Sequence, residues 1–304
     1  MFIEEYLQDL RRDRFSPVAL RLYARRVGAH VRAQLDAAPG TVRSIWSVAL
    51  GFFAATFVFS VGLALAGDRR LAERFMLETA LVIPPAFAFV TMHLDQLRDA
   101  NGYRLSSINL PISLTLLRVA LLPGLALFMH EGRFTLALAF FLLAALSDIA
   151  DGWIARRSGQ ITRLGRVLDP LVDIVFNLTL FCVLAASRLL PAWVAWLALL
   201  RYGLLLVGGA CLYVFVGPVR IQPTSFGRLT GVAIACLAGF LMLLHASRGG
   251  WLQALAPLTA VALGALLTAT VVQVALLGWF NLRLMRGKMD GAGRVVGDVR
   301  WGAP

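Results

Sequence analysis

Residues 148–173 read DIADGWIARRSGQITRLGRVLDPLVD and place four aspartates, Asp148, Asp151, Asp169 and Asp173, beside two long apolar segments. A carboxylate next to hydrocarbon is costly unless compensated, so such residues mark function by default. Asp148 and Asp151 are three apart, Asp169 and Asp173 four apart. On two helices each pair lies on one face, one turn apart. Two such pairs facing each other make a cage for hard divalent cations.

The surroundings of this stretch are apolar. The chain has 304 residues, 59% of them hydrophobic, with a mean hydropathy of +0.75. Several runs exceed the roughly 18 to 20 residues needed to cross a hydrocarbon core. The reading is an all-α polytopic membrane protein with eight spans, near 44–66, 77–95, 106–129, 134–155, 166–187, 191–216, 228–247 and 252–282. The first 43 residues are arginine-rich and lack an apolar core, so no cleavable leader is expected. With the N-terminus cytoplasmic, 21 of the 29 Lys and Arg fall in inside segments and six outside. That follows the positive-inside rule and puts both termini and the acidic stretch at the cytoplasmic face, in the inner membrane. Arg69, Arg70 and Arg74, in the polar turn GDRRLAERF, run against the rule.

The net charge of +12 does not indicate a nucleic-acid partner. The basic residues lie in short loops between spans, no soluble basic domain is visible, and anionic lipid headgroups are the natural counter-charge. Every cation except Lys288 is an arginine, which suits bidentate phosphate contacts as well as a GC-rich genome. Cys182, Cys211 and Cys236 are isolated in apolar spans and read as packing residues. His30, His93, His130 and His245 show no ligand spacing.

The chain divides into an extension, residues 1–100, a six-span part, 101–288, and a tail, 289–304. In the extension Ser16 and Pro17 read as an N-cap and first helical residue. Val18, Leu22, Val27, Val31 and Leu35 are read as one apolar side, with Arg21, Arg25, Arg26 and Arg32 elsewhere. That gives either an amphipathic helix on the inner leaflet or a solvated one. The extension is expected to be dispensable for chemistry.

As a spacing, the acidic stretch is Asp-x2-Asp-Gly-x2-Ala-Arg-x8-Gly-x3-Asp-x3-Asp, with Gly152, Ala155, Arg156 and Gly165 at the remaining fixed positions. All eight positions resemble the signature of the CDP-alcohol phosphotransferase family, and the six spans from about 106 to 286 match its six-helix membrane domain, here preceded by two extra transmembrane helices. The resemblance implies that Asp148, Asp151 and Asp169 bind two divalent ions, with Asp173 completing the set and serving as general base. It implies that Gly152, Ala155 and Gly165 let the cytidine nucleotide lie close and that Arg156 meets its phosphates. Charge on transferring phosphates must be neutralised, and oxygen-only ligands point to Mg²⁺ or Mn²⁺ rather than zinc. The competing account of the acids is a buried salt-bridge network with Arg118 and Arg201.

One span earlier, NLPISLTLLRVALLP (109–123) resembles the family's first helix, so Pro111, Thr115 and Arg118 are expected to line the same cavity. Thr115 has a second reading, a bond to its own helix backbone. Arg118 lies deep in its span and needs a phosphate or a carboxylate. Arg201, Arg220 and Arg228 are the remaining candidates for holding an anionic acceptor. The segment VRIQPTSFGR resembles a loop of phosphatidylglycerophosphate synthases, whereas Ile174 and Tyr202 depart from those enzymes.

The function expected is transfer of a phosphatidyl group from a CDP-alcohol, CDP-diacylglycerol first, to a polar acceptor alcohol with release of CMP. Glycerol 3-phosphate, serine, an inositol compound and phosphatidylglycerol all stand as acceptors. A homodimer is expected from the family, and Gly203, Gly208 and Gly209 permit close helix packing. The reading from another class is a non-catalytic cation-binding or cation-transporting membrane protein.

Overall fold

The computed structural model describes residues 16–99, 102–211, 225–247 and 253–289. Among them the regular structure is helical: α1 Pro17–Ala37, α2 Pro39–Leu65, α3 Arg69–Met92, α4 Leu110–His130, α5 Phe134–Ser158, α6 Gly165–Ala186, α7 Ala192–Gly203, α8 Ser225–Ala246 and α9 Ala256–Met289. A π-helical turn, Leu204–Gly208, carries α7 on to Cys211. Eight of these helices are long and apolar enough to cross a membrane, matching the eight expected spans. The chain is a multi-pass all-α membrane protein.

Local chemistry accounts for the boundaries. The Ser16 hydroxyl accepts the Ala19 amide at 3.2 Å and Pro17 opens α1, as the sequence signalled. The five apolar residues of α1 do not share a side, however. Nine residues make about two and a half turns, so Val27 lies opposite Val18; Val18 and Leu22 are exposed, while Val27, Val31 and Leu35 are half-buried. The polar turn before α3 is also shorter than expected. Only Ala66, Gly67, at φ +91°, and Asp68 make it, and α3 begins at Arg69. Pairs Arg69–Glu73 (3.0 Å) and Arg74–Glu78 (3.3 Å) extend the helix beyond the apolar run.

α4 is the central element. It packs against α2, α3, α5 and α6, and 67% of its span is buried, about twice the share of any other. In lipid the apolar effect does not drive helices together, so close van der Waals contact must. Gly124 of α4 supplies it: a Cβ there would stand 2.7 Å from Phe140 Cδ1 and 2.8 Å from Phe75 Cε2. Phe59, Phe75, Phe128 and Phe140 surround that contact, with ring centroids 5.0 to 6.0 Å apart. α7, α8 and α9 form a second group, joined to α4 through α5 and α6. A separate apolar cluster unites α2 and α3 with Leu94, Leu97, Ile112, Leu116, Leu164, Leu168 and Val172. The extension therefore shares its core with α4 and α6.

Candidate active site

Three helices deliver the suspected chemistry to one place. On α4, Thr115 and Arg118 are three apart and both buried. α5 carries Asp148 and Asp151 near its C-terminal end, which closes at Gly159 in the left-handed region, φ +65°. At the start of α6 the buried Thr162 accepts the Gly165 amide at 3.0 Å. Asp169 and Asp173 then follow one turn apart.

The four acids converge. Arg118 Nη2 forms an ion pair with Asp148 Oδ1 at 2.7 Å and donates to Asp151 Oδ2 at 2.6 Å, and its Nη1 donates to Asp173 Oδ1. The Thr115 hydroxyl stands 2.9 Å from Asp169 Oδ1, 3.3 Å from Asp151 Oδ2 and 3.1 Å from its own helix carbonyl at Pro111. The Thr115 hydroxyl thus lies within reach of two of the acids and of its own helix backbone. Thr115 and Arg118 meet the acids, whereas Pro111 is buried one turn before Thr115 and accepts its hydroxyl through the backbone carbonyl. Asp151 is buried, whereas the Asp148 and Asp173 side chains are about half exposed, at 54% and 50%. Buried anchoring and open access coexist in one cluster.

The balance of charge tests the metal expectation. Three of the four carboxyl groups pair with one guanidinium, and the single Thr115 hydrogen has three acceptors within reach but can serve one at a time. Acceptors are in surplus and all are oxygen, the donor set of Mg²⁺ or Mn²⁺, so these residues fit such ions. Among the described residues no three acidic, imidazole or thiol groups already form a compact metal centre. In this structure the carboxylates are spread over Arg118 and Thr115. The salt-bridge account is thereby half realised: Arg118 pairs with three of the acids, and Arg201 pairs with none by ion pair among the described residues.

Arg201 lies buried on α7 and donates to the Tyr202 hydroxyl at 3.1 Å. Its guanidinium carbon is 4.8 Å from the centre of the same ring, and its Nε has no partner. Arg156 is exposed and lies back over Gly152, where a Cβ would stand 3.2 Å from Nη1. A Cβ on Gly165 would stand 3.1 Å from Thr162 Oγ1 and 3.9 Å from Asp169 Oδ2. Ala155 is half-buried on the same helix. Arg220 lies outside the described residues, and Arg228 sits on α8 with its side chain outside the description.

The packing expectation for the cysteines is corrected. Cys182, Cys211 and Cys236 are exposed on their helices rather than packed inside. His93 and His245 bond the backbone oxygens of Phe89 (2.8 Å) and Leu241 (2.9 Å), four residues back on their own helices. Sequence reasoning passed over Thr162 and Asn109, whose Nδ2 donates to the Gln160 carbonyl at 3.0 Å. A Thr three residues before a helix-opening glycine was the available signal for the first.

Comparison with known proteins places this geometry in context. The family model described as CDP-alcohol phosphatidyltransferase matches residues 108–280, more than half of the chain and all four acids. The CDP-diacylglycerol--glycerol-3-phosphate 3-phosphatidyltransferase of Aquifex aeolicus is 32% identical over 131 residues, 42% of this chain and 72% of that protein. A probable cardiolipin synthase (CMP-forming) of Drosophila melanogaster is 31% identical over 161 residues, 47% of this chain and 49% of its own length. The human cardiolipin synthase (CMP-forming) is 35% identical over 116 residues, 38% and 37% of the two chains. The chain thus spans about half or less of these two cardiolipin synthases.

Proposed function

The chain belongs to the CDP-alcohol phosphatidyltransferase family, and from that premise we propose that it moves the phosphatidyl group of CDP-diacylglycerol to the hydroxyl of a phosphate-bearing alcohol, releasing CMP. The observation that carries the reading is the convergence of Asp148, Asp151, Asp169 and Asp173 around Thr115 and Arg118. The acids are the ligands for two divalent ions, Mg²⁺ or Mn²⁺. When bound, those ions supply positive charge to the diphosphate and its leaving oxygen.

The protein's own groups divide the remaining work. Asp173 is half exposed and has Oδ1 engaged by Arg118, which leaves Oδ2 to take the acceptor's proton. The acceptor oxygen forms its bond to the lipid-side phosphorus as the bond to CMP breaks, and the electron pair leaves with CMP. Arg156, Gly152, Ala155 and Gly165 line the nucleotide's place. Arg201 is the seat for the acceptor's phosphate, because a buried guanidinium with a free Nε and no carboxylate favours an anion.

Glycerol 3-phosphate is the first acceptor by this argument. The names of the cardiolipin synthase relatives favour a second, phosphatidylglycerol, which also carries a phosphate. The enzyme lies in the inner membrane as a homodimer, with site and termini facing the cytoplasm. Purified protein incubated with CDP-diacylglycerol, Mn²⁺ and single acceptors, followed by CMP release, tests the reading. Release with glycerol 3-phosphate or phosphatidylglycerol is expected. Release only with serine or inositol would overturn the assigned acceptor class, and Mn²⁺ binding with no release under any acceptor would overturn the transferase.

A further inference from the structure

We infer that residues 94–99 and 102–109, in the connection from the extension into α4, are a clamp that positions the loop joining the two halves of the acid motif. The inference rests on the transferase reading above, and it sets aside the expectation that residues 1–100 are separable from the chemistry.

The clamp bonds the loop at three places. The Leu164 amide donates to the Gln96 carbonyl at 3.0 Å and the Arg163 amide to the Arg98 carbonyl at 3.2 Å. Asn109 Nδ2 donates to the Gln160 carbonyl at 3.0 Å. Loops without such partners leave backbone groups to water and are free to move. Here the loop directly before α6 is tied to chain that precedes the family's matched region for two of its three bonds.

The clamp is itself held. Arg98 Nε donates to the Asp95 carbonyl at 3.0 Å and its Nη1 to the Gly102 carbonyl at 3.1 Å, so one guanidinium staples the segment on both sides. The Leu105 amide donates to the Leu97 carbonyl at 3.0 Å, and Gly102 takes φ +88°, the left-handed region that a side chain would disfavour. From the extension, the Thr41 hydroxyl donates to the Leu105 carbonyl and the Ser44 hydroxyl accepts the Ile108 amide, each at 3.3 Å.

Packing connects the clamp to the acids. Leu94, Leu97 and Leu164 are fully buried in one cluster with Ile45 of α2, Phe87 of α3, Leu116 of α4 and Leu168 of α6. Leu116 follows Thr115 and Leu168 precedes Asp169. The extension therefore packs against the two helices at positions next to Thr115 and Asp169, about 100° round each helix, and so helps fix the rotation that brings those two side chains together. Among the described residues no clamp residue bonds any of the four motif aspartates, so its action is through position. Displacement of a reacting group by about 1 Å costs on the order of a hundredfold in rate.

The test uses the full chain carrying Arg98→Ala, with Arg69→Ala at the far end of α3 as control. Three quantities are read: hydrogen exchange at residues 159–168, kcat against KM for CMP release, and Mn²⁺ affinity. The expected result for Arg98→Ala is faster exchange in that loop, kcat down by about tenfold or more with donor KM little changed, and weaker Mn²⁺ binding. Arg69→Ala is expected to match the parent in all three. Unchanged kcat per folded molecule, with or without faster exchange, overturns the clamp. If Arg98→Ala does not fold, Asn109→Ala removes one loop bond, and the same outcomes apply. If the parent releases no CMP with any acceptor, the transferase reading fails; loop exchange and Mn²⁺ affinity then decide the clamp, and unchanged values overturn it.

Discussion

Arg118 sits where four carboxyl groups meet inside a helix bundle, and its single charge sets what else the site accepts. Removing it leaves the buried Asp151 without a cation, a loss of about 3–5 kcal/mol for a broken buried pair. The same change takes one positive charge from beside the ion positions, which at a few ångströms is worth about 4 kcal/mol per unit of ion charge before screening at an effective dielectric of about 20. Arg118→Ala is therefore expected to unfold at lower temperature, to bind Mn²⁺ more tightly and to turn over negligibly. Thermal unfolding with and without Mn²⁺ checks this, and weaker Mn²⁺ binding would contradict the charge argument. Asp173→Asn keeps the shape and one oxygen for Arg118 but cannot take a proton. It should bind cytidine nucleotide as the parent does and lose about 10² to 10⁴ in kcat; a normal rate would remove Asp173 as base. The pairing of the acids was legible from their spacing, and the need of Arg118 for a partner from its depth. Which acids it would hold was not, because that depends on how α4 is rotated against α5 and α6.

Helices are aimed by the closeness of their contacts, and α4 owes its place to a residue with no side chain. At Gly124 an added methyl would stand 2.7 Å from Phe140 Cδ1 and 2.8 Å from Phe75 Cε2, so both rings would have to move. Gly124→Ala is expected to cost about 1–3 kcal/mol as an overpacked contact. A lowered unfolding temperature in detergent would show it, whereas unchanged stability would mean that the aromatic cluster yields freely. The number of spans was readable because each apolar run is long enough by itself. The start of α3 was not, since Arg69–Glu73 and Arg74–Glu78 carry the helix through residues that hydropathy scores as loop. The sides of α1 were misjudged for a simpler reason: Val18 and Val27 are about two and a half turns apart.

Across the whole molecule the two ends differ in charge. At the end opposite the acids, Arg133 pairs with Asp68 and Arg74 with Glu131, tying the α2–α3 turn to the α4–α5 turn. These partly exposed pairs contribute about 0–1 kcal/mol each, yet they place Arg74 and Arg133 among carboxylates. Two of the three arginines that ran against the positive-inside rule, Arg69 and Arg74, thus belong to a mixed patch with Asp68, Glu73, Glu78 and Glu131. At the acid end, Arg156, Arg157 and Arg163 sit in and beside the short loop with no acid among residues 152–168. Since short loops rich in arginine stay on the cytoplasmic side, the acid end should face inward. In a background with Cys182, Cys211 and Cys236 replaced by serine, Ser158→Cys and His130→Cys mark the two ends, both positions being exposed. A membrane-impermeant maleimide applied to intact spheroplasts is expected to label His130→Cys and to leave Ser158→Cys unlabelled until the membrane is opened. The reverse pattern would put the acids on the outer face, away from cytoplasmic CDP-linked donors, and would remove the physical basis of the transferase as drawn.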